Sequence, residues 1–117
     1  QRGSNITSER LRFDFSYPEK MTDDEIRKVE ELVNSNIEAD LEVRKEEMAL
    51  DDALAAGALA SFGERYPDNV KVYSIDGVSS EICRGPHVDR TSRIGRFKVV
   101  KEESVGSGIR RIKAVAE

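Results

Sequence analysis

The sequence predicts an α+β domain, an antiparallel or mixed sheet with two helices packed on one face. Three observations lead there. Several short runs alternate apolar and polar residues at period two, the spacing of a strand with one buried face. Two longer stretches instead carry apolar or alanine-rich patterns suited to helices. The order is strand, helix, strand, helix and then several strands with short connections, an arrangement that favours antiparallel or mixed pairing.

Residues 10–15 alternate charge with Leu11, Phe13 and Phe15 and form the first predicted strand, which Ser16-Tyr17-Pro18 ends. Ahead of it, Gly3-Ser4-Asn5 reads as a turn. Thr22-Asp23-Asp24-Glu25 has the form of a capping box. Ile26, Val29, Leu32, Val33, Asn36 and Ile37 follow at helical spacing. Residues 41–45 alternate again, and residues 50–62 form a predicted second helix that ends at Gly63. After the turn at Pro67-Asp68-Asn69 come strands over 70–75 and 78–83, joined at Asp76-Gly77. Strands over 97–101 and 109–115 complete the domain, with Gly106-Ser107-Gly108 as a turn.

The chain of 117 residues suits one domain, 1–117, and its 38% hydrophobic content is enough to bury a core. One cysteine cannot form an intramolecular disulfide, no apolar run approaches a membrane span, and a cytoplasmic setting without a membrane partner is expected. The opening Gln1 suggests an excised piece of a longer protein. Charge is polarised along the chain. Residues 83–117 hold nine Lys/Arg against four acids, a net +5, while residues 1–82 carry −9. A basic region suits a phosphate-bearing ligand, or else a solvated face whose arginines pair with the acidic half.

The densest chemistry lies in Cys83-Arg84-Gly85-Pro86-His87, where the only cysteine stands four positions from the only histidine. Thiolate and imidazole are preferred zinc ligands, and a Gly-Pro pair between them bends the backbone tightly. A structural zinc takes four protein ligands, so this is half a site. The bland alternative is an inert buried cysteine beside a surface histidine. Among other residues, Phe13, Phe15, Phe62 and Phe97 read as core and Glu102-Glu103 as solvated, while Tyr73 stays undecided. Ser4 and Thr7 read as turn caps. Arg110 and Arg111 should face opposite ways on a strand, one toward phosphate and one toward an acid.

Gln1-Arg2-Gly3-Ser4, Leu11-Arg12-Phe13-Asp14-Phe15-Ser16, residues 58–66, Cys83-Arg84-Gly85-Pro86-His87-Val88, Thr91, Ile94-Gly95-Arg96-Phe97-Lys98 and residues 108–115 together resemble the editing domain of alanyl-tRNA synthetase, the threonyl/alanyl second additional domain. The Cys-Arg-Gly-Pro-His wording is also similar to the threonyl editing domain, whereas the Arg-Arg-Ile ending and the Leu-Arg-Phe-Asp-Phe strand look alanyl. Free-standing proteins that edit mischarged tRNA share the same domain.

The resemblance implies hydrolysis of the ester joining serine or glycine to the 3′ end of tRNA(Ala). It implies a Zn2+ held by two histidines of a His-x-x-x-His motif together with Cys83 and His87. That motif is absent here, so an incomplete metal site and poor activity are expected of this stretch alone. Gln1, Arg84, Arg110 and Arg111 become candidates for contact with the aminoacyl ester or the tRNA acceptor end, and the rest of the synthetase chain becomes a partner. ATP-dependent charging would belong to another domain. Two alternatives remain open, a catalytically decayed tRNA-binding module and a bare α+β scaffold.

Overall fold

The computed structural model describes residues 2–7, 9–60 and 64–117. In chain order it forms β1 (Gly3–Ile6), β2 (Leu11–Ser16), α1 (Asp23–Glu38), β3 (Arg44–Ala49), α2 (Leu50–Ala55), β4 (Asn69–Ile75) and β5 (Ser79–Ile82). A single 3-10 turn at Thr91–Ile94 precedes β6 (Phe97–Gly106) and β7 (Ile109–Ala116). The class is α+β, and every pairing between these strands is antiparallel. The strands divide into two sheets, ordered β1-β2-β7-β6 and β3-β4-β5. Each sheet carries its own helix, where one sheet with both helices on one face was expected.

The period-two pattern explains the first core. Leu11 and Phe15 of β2, Ile112 and Ala114 of β7, and Phe97 and Val99 of β6 share one face, and Ile26, Val29, Val33 and Ile37 of α1 lie on it. The helix starts where the sequence predicts. The Thr22 hydroxyl accepts from the Glu25 amide at 3.1 Å, and the Glu25 carboxylate accepts from the Thr22 amide at 2.9 Å. Tyr17 donates to the same carboxylate at 2.6 Å, fastening the end of β2 to the helix start. Leu32, placed on the apolar stripe by spacing, faces solvent at 64% exposure. Asn34 instead docks the helix. Its amide donates to the Phe97 carbonyl at 2.9 Å and accepts from the Phe97 amide at 2.8 Å, taking the place of a neighbouring strand.

Further expectations need correction: Phe13, read as core, is 36% exposed and lies outside the first cluster. Gly3-Ser4-Asn5 is not a turn but part of β1, because β2 offers it a pairing edge from Gly3↔Asp14 to Ile6↔Leu11. The strand expected at 41–45 begins at Arg44. The backbone of Leu41 is drawn away to Thr91 and that of Val43 to Asp89. The second helix stops at Ala55, since Gly57 adopts φ +87° and turns the chain. Beyond it Leu59 lies extended beside β5, its amide donating to Ser80 at 2.9 Å and its carbonyl accepting from Ile82 at 2.8 Å. The predicted helix end at Gly63 and the core role of Phe62 lie outside the described residues. Finally, Glu102 is not solvated: its side chain is 3% exposed and paired within the sheet.

The second core gathers Ala53 of α2, Ala58, Val70 and Val72 of β4 and Ile82 of β5. β3 closes this sheet with Arg44, Lys45, Glu46 and Glu47 exposed, a charged edge that resists further strand pairing. No described helix is long and apolar enough to cross a membrane.

Candidate functional site

The residues from Cys83 to His87 occupy the passage from the three-stranded to the four-stranded sheet. β5 delivers them: Ile82 is buried in the second core, and the Cys83 amide extends the ladder by donating to the Lys71 carbonyl at 3.2 Å. The chain bends at Gly85, where an added Cβ would stand 3.8 Å from the Cys83 sulfur. Cys83 is a free, half-buried thiol, and His87 is exposed.

Two contacts orient the imidazole. Nδ1 of His87 lies 3.1 Å from the Gly85 carbonyl oxygen. A carbonyl only accepts, so a hydrogen bond here carries the proton on Nδ1 and leaves the lone pair on Nε2, one of the two forms in which histidine ligates metals. The ring also stacks on Tyr73 of β4, with centroids 3.7 Å apart and planes 13° apart. Tyr73 is the residue that sequence reasoning left undecided. Its only signal was a tyrosine on the face of β4 opposite Val70 and Val72, where alternation asks for a polar residue.

Arg84 points elsewhere. It donates to the Arg65 carbonyl, lies 3.7 Å from the Glu64 carboxylate and covers the Tyr66 ring at 5.8 Å. A groove of about 350 Å³ runs beneath, lined by Cys83, Arg84, Tyr66, Lys71 and neighbouring strand residues. On the downstream side the bend is clamped to the end of α1. Arg90 donates to the Asp40 carboxylate at 2.9 Å and to the Asp40 carbonyl at 2.6 Å. Hydrogen bonds from Ser92 and Arg90 hold the Asp40 carboxyl below its usual range.

Zinc is the metal this donor pair suits, one soft sulfur and one imidazole nitrogen. Among the described residues no group of three or more His, Cys, Asp or Glu side chains is placed to hold a metal ion. Cys83 and His87 are donors of the kind zinc takes, and two donors fall short of the four protein ligands of a structural site.

Arg110 and Arg111 do face opposite sides of β7, as alternation requires, but both are committed to carboxylates. Arg110 binds Glu102 through two hydrogen bonds of 2.6 and 2.8 Å on the α1 side. Arg111 binds Asp14 at 2.8 and 3.0 Å on the open side. Each bidentate pair lowers its carboxyl pKa, chiefly through the arginine hydrogen bonds and against the opposing effect of burial. Gln1 lies outside the described residues. Thr7 is a turn cap, its hydroxyl oxygen accepting from the Glu9 and Arg10 amides at 3.3 and 3.2 Å.

Known proteins resemble the chain over nearly all of its length. Residues 70–113, which run from β4 through the Cys83–His87 bend into β7, match the family described as threonyl and alanyl tRNA synthetase second additional domain. The chain is 61% identical to an alanine–tRNA ligase of Borreliella burgdorferi and 59% identical to one of Borrelia hermsii, over 98% of its length and 19% of theirs. An alanine–tRNA ligase of Treponema denticola is 59% identical over 100% of this chain and 20% of its own. The chain thus spans about one fifth of the length of these relatives.

Proposed function

From the premise that this chain belongs to the threonyl and alanyl tRNA synthetase second additional domain family, on its alanyl side, we propose that it serves an alanine–tRNA ligase as part of an editing site. That site hydrolyses the ester between serine or glycine and the 3′ end of tRNA(Ala). Such a step has a physical reason. A pocket built for alanine cannot strongly reject serine, which merely adds a hydroxyl, and glycine forfeits only one methyl contact, so a second, hydrolytic sieve is needed.

The observation that carries the reading is the presence of Cys83 and His87 on one bend, with Nδ1 of His87 held by the Gly85 carbonyl. Cys83 and His87 would hold a zinc ion through Sγ and Nε2, and a bound zinc would supply Lewis acidity to orient the aminoacyl ester. The remaining ligands would come from the four fifths of the relatives' length that this chain does not span. Tyr73 keeps the imidazole plane fixed against β4, and Gly85 leaves room beside the thiol. Arg84, half exposed at the groove, is the arginine of this segment nearest the proposed acceptor end; Arg110 and Arg111 would act by bracing the sheet behind it.

The test is deacylation of seryl-tRNA(Ala) by a chain of the relatives' length, with zinc quantified in the same sample. Hydrolysis and zinc content should both fall in Cys83→Ala and in His87→Ala. A folded wild-type protein that binds tRNA but neither holds zinc nor hydrolyses the ester would favour the second reading, a tRNA-binding module without catalysis. That reading draws on the absence, among the described residues, of any group of three or more His, Cys, Asp or Glu side chains placed to hold a metal ion.

A further inference from the structure

The four-stranded sheet has a second face that α1 does not cover, and the two cross-strand rows at its centre are mostly charged, with Ile109 and Val115 at their flanks. The register lines up two rows across it. One row runs Gly3, Asp14, Arg111 and Glu103; the next runs Asn5, Arg12, Lys113 and Lys101. In the second row three cations stand directly opposite one another on β2, β7 and β6, an arrangement that costs stability because like charges in cross-strand pairs repel. Two carboxylates serve four cations. Asp14 binds Arg111 and lies 3.8 Å from Arg12, while Glu103 lies 3.1 Å from Lys101 and 3.4 Å from Lys113. Arg12 Nε is buried without a hydrogen-bond partner. The three cations of the row keep 36 to 59% of their side-chain surface exposed, so a ligand can reach them.

We infer that this open face docks an RNA phosphate backbone, with Arg12, Lys113 and Lys101 contacting successive phosphates. Adjacent strands lie about 4.8 Å apart, so the row spreads its charge over about 10 Å in a line, a linear anion's complement. A protein partner is the poorer fit. The core of a protein interface is depleted of charge and built on apolar anchors, and neither row offers one. That the RNA is the tRNA being edited rests on the proposed function; the charge argument does not.

The experiment follows binding of a fluorescein-labelled RNA hairpin by anisotropy at several salt concentrations, using a chain of the relatives' length. Each phosphate contact contributes about 0.9 to the slope of log affinity against log salt. The variant Arg12→Gln/Lys101→Gln/Lys113→Gln should therefore lower the slope by about 2 to 3, and Arg12→Lys/Lys101→Arg/Lys113→Arg should keep it. Should the triple glutamine variant fail to fold, Lys101→Gln alone, at the most exposed cation, should lower it by about 1. An unchanged slope in the glutamine variants overturns the inference, as does an equal loss in the charge-keeping variant. Poly-glutamate that binds wild type more tightly than the hairpin does and loses that binding in the glutamine variants, while the hairpin slope stays unchanged, assigns the face to an acidic protein segment and overturns it too. Hydrolysis of seryl-tRNA(Ala) by the wild type separates the two claims. Hydrolysis with an unchanged slope removes the docking face alone, and a lowered slope without hydrolysis removes the editing reading alone.

Discussion

Thr91→Val should destabilise the fold by about 2 to 3 kcal/mol, and the structure shows why. The Thr91 side chain is 3% exposed, and its hydroxyl bridges two elements: it donates to the Asn36 carbonyl at 2.7 Å and accepts from the Leu41 amide at 2.8 Å. Valine keeps the shape but abandons both partners. A buried group left without its partner costs about 1 to 3 kcal/mol, and the lower half of that range applies to each because Asn36 and Leu41 are only partly buried. Thr91→Ser supplies the control, since it keeps the hydroxyl and loses one methyl, about 1 kcal/mol. Urea unfolding followed by far-UV circular dichroism reads the difference; with a slope of about 1 to 3 kcal/mol per molar urea, the valine midpoint should fall by about 1 to 2 M. If Thr91→Val costs no more than Thr91→Ser, the two hydrogen bonds do not hold the segment after His87 to α1, and the reasoning fails.

Three further outcomes are expected. Arg110 hydrogen bonds hold the Glu102 carboxyl below its ordinary range, so the unfolded chain takes up that proton at higher pH than the folded chain does. The stabilisation is fully present above the unfolded carboxylate value near pH 4.3 and is lost as pH falls through the lower folded value. Glu102→Gln should thus flatten the acid limb of a stability–pH curve, and an unaltered limb would refute the pairing. Gly95→Ala places a Cβ against the Glu117 carbonyl at a backbone φ of +85° and ψ of −141°; the conformation alone costs about 1 to 3 kcal/mol. Hydrogen exchange at the Arg96 and Glu117 amides, which bond each other's carbonyls at 2.7 and 3.0 Å, should accelerate roughly tenfold. Ala53→Leu overfills the core between α2 and the three-stranded sheet and should cost about 1 to 3 kcal/mol by urea titration.

What the sequence revealed followed from local physics. The capping box at Thr22 reads directly because its two hydrogen bonds join residues three apart, and the strands over 70–75, 97–101 and 109–115 announce themselves by alternation. The elements that escaped depend on distant partners. β1 has one apolar residue, Ile6, which is exposed, and it exists because β2 is available to pair with it. The stretch after Gly57 has helix-forming alanines, yet a parallel bridge from Leu59 to Glu81 outweighs their propensity. Glu102 looked solvated because nothing near it in sequence reveals that Arg110, across the β6–β7 hairpin, would bind it face to face. At the candidate site the Cys83–His87 spacing was legible, whereas the Tyr73 stack joins residues on a strand and a later bend that no periodicity connects.

The backbone of this site is anchored at its two ends and spanned freely between them. Upstream, the Cys83 amide closes onto Lys71 and Ile82 sits in the second core; downstream, Arg90 and Thr91 close onto Asp40, Asn36 and Leu41 at the end of α1. The intervening residues carry few backbone hydrogen bonds, and His87 and Val88 are exposed. Control of His87 therefore rests on its side-chain contacts, the Gly85 carbonyl and the Tyr73 ring, more than on its own backbone. The anchors belong to different cores, Ile82 to the three-stranded sheet and α1 to the four-stranded one. Loosening either core changes the distance the bend must span, so a substitution such as Thr91→Val should reach the Cys83–His87 geometry without touching either side chain.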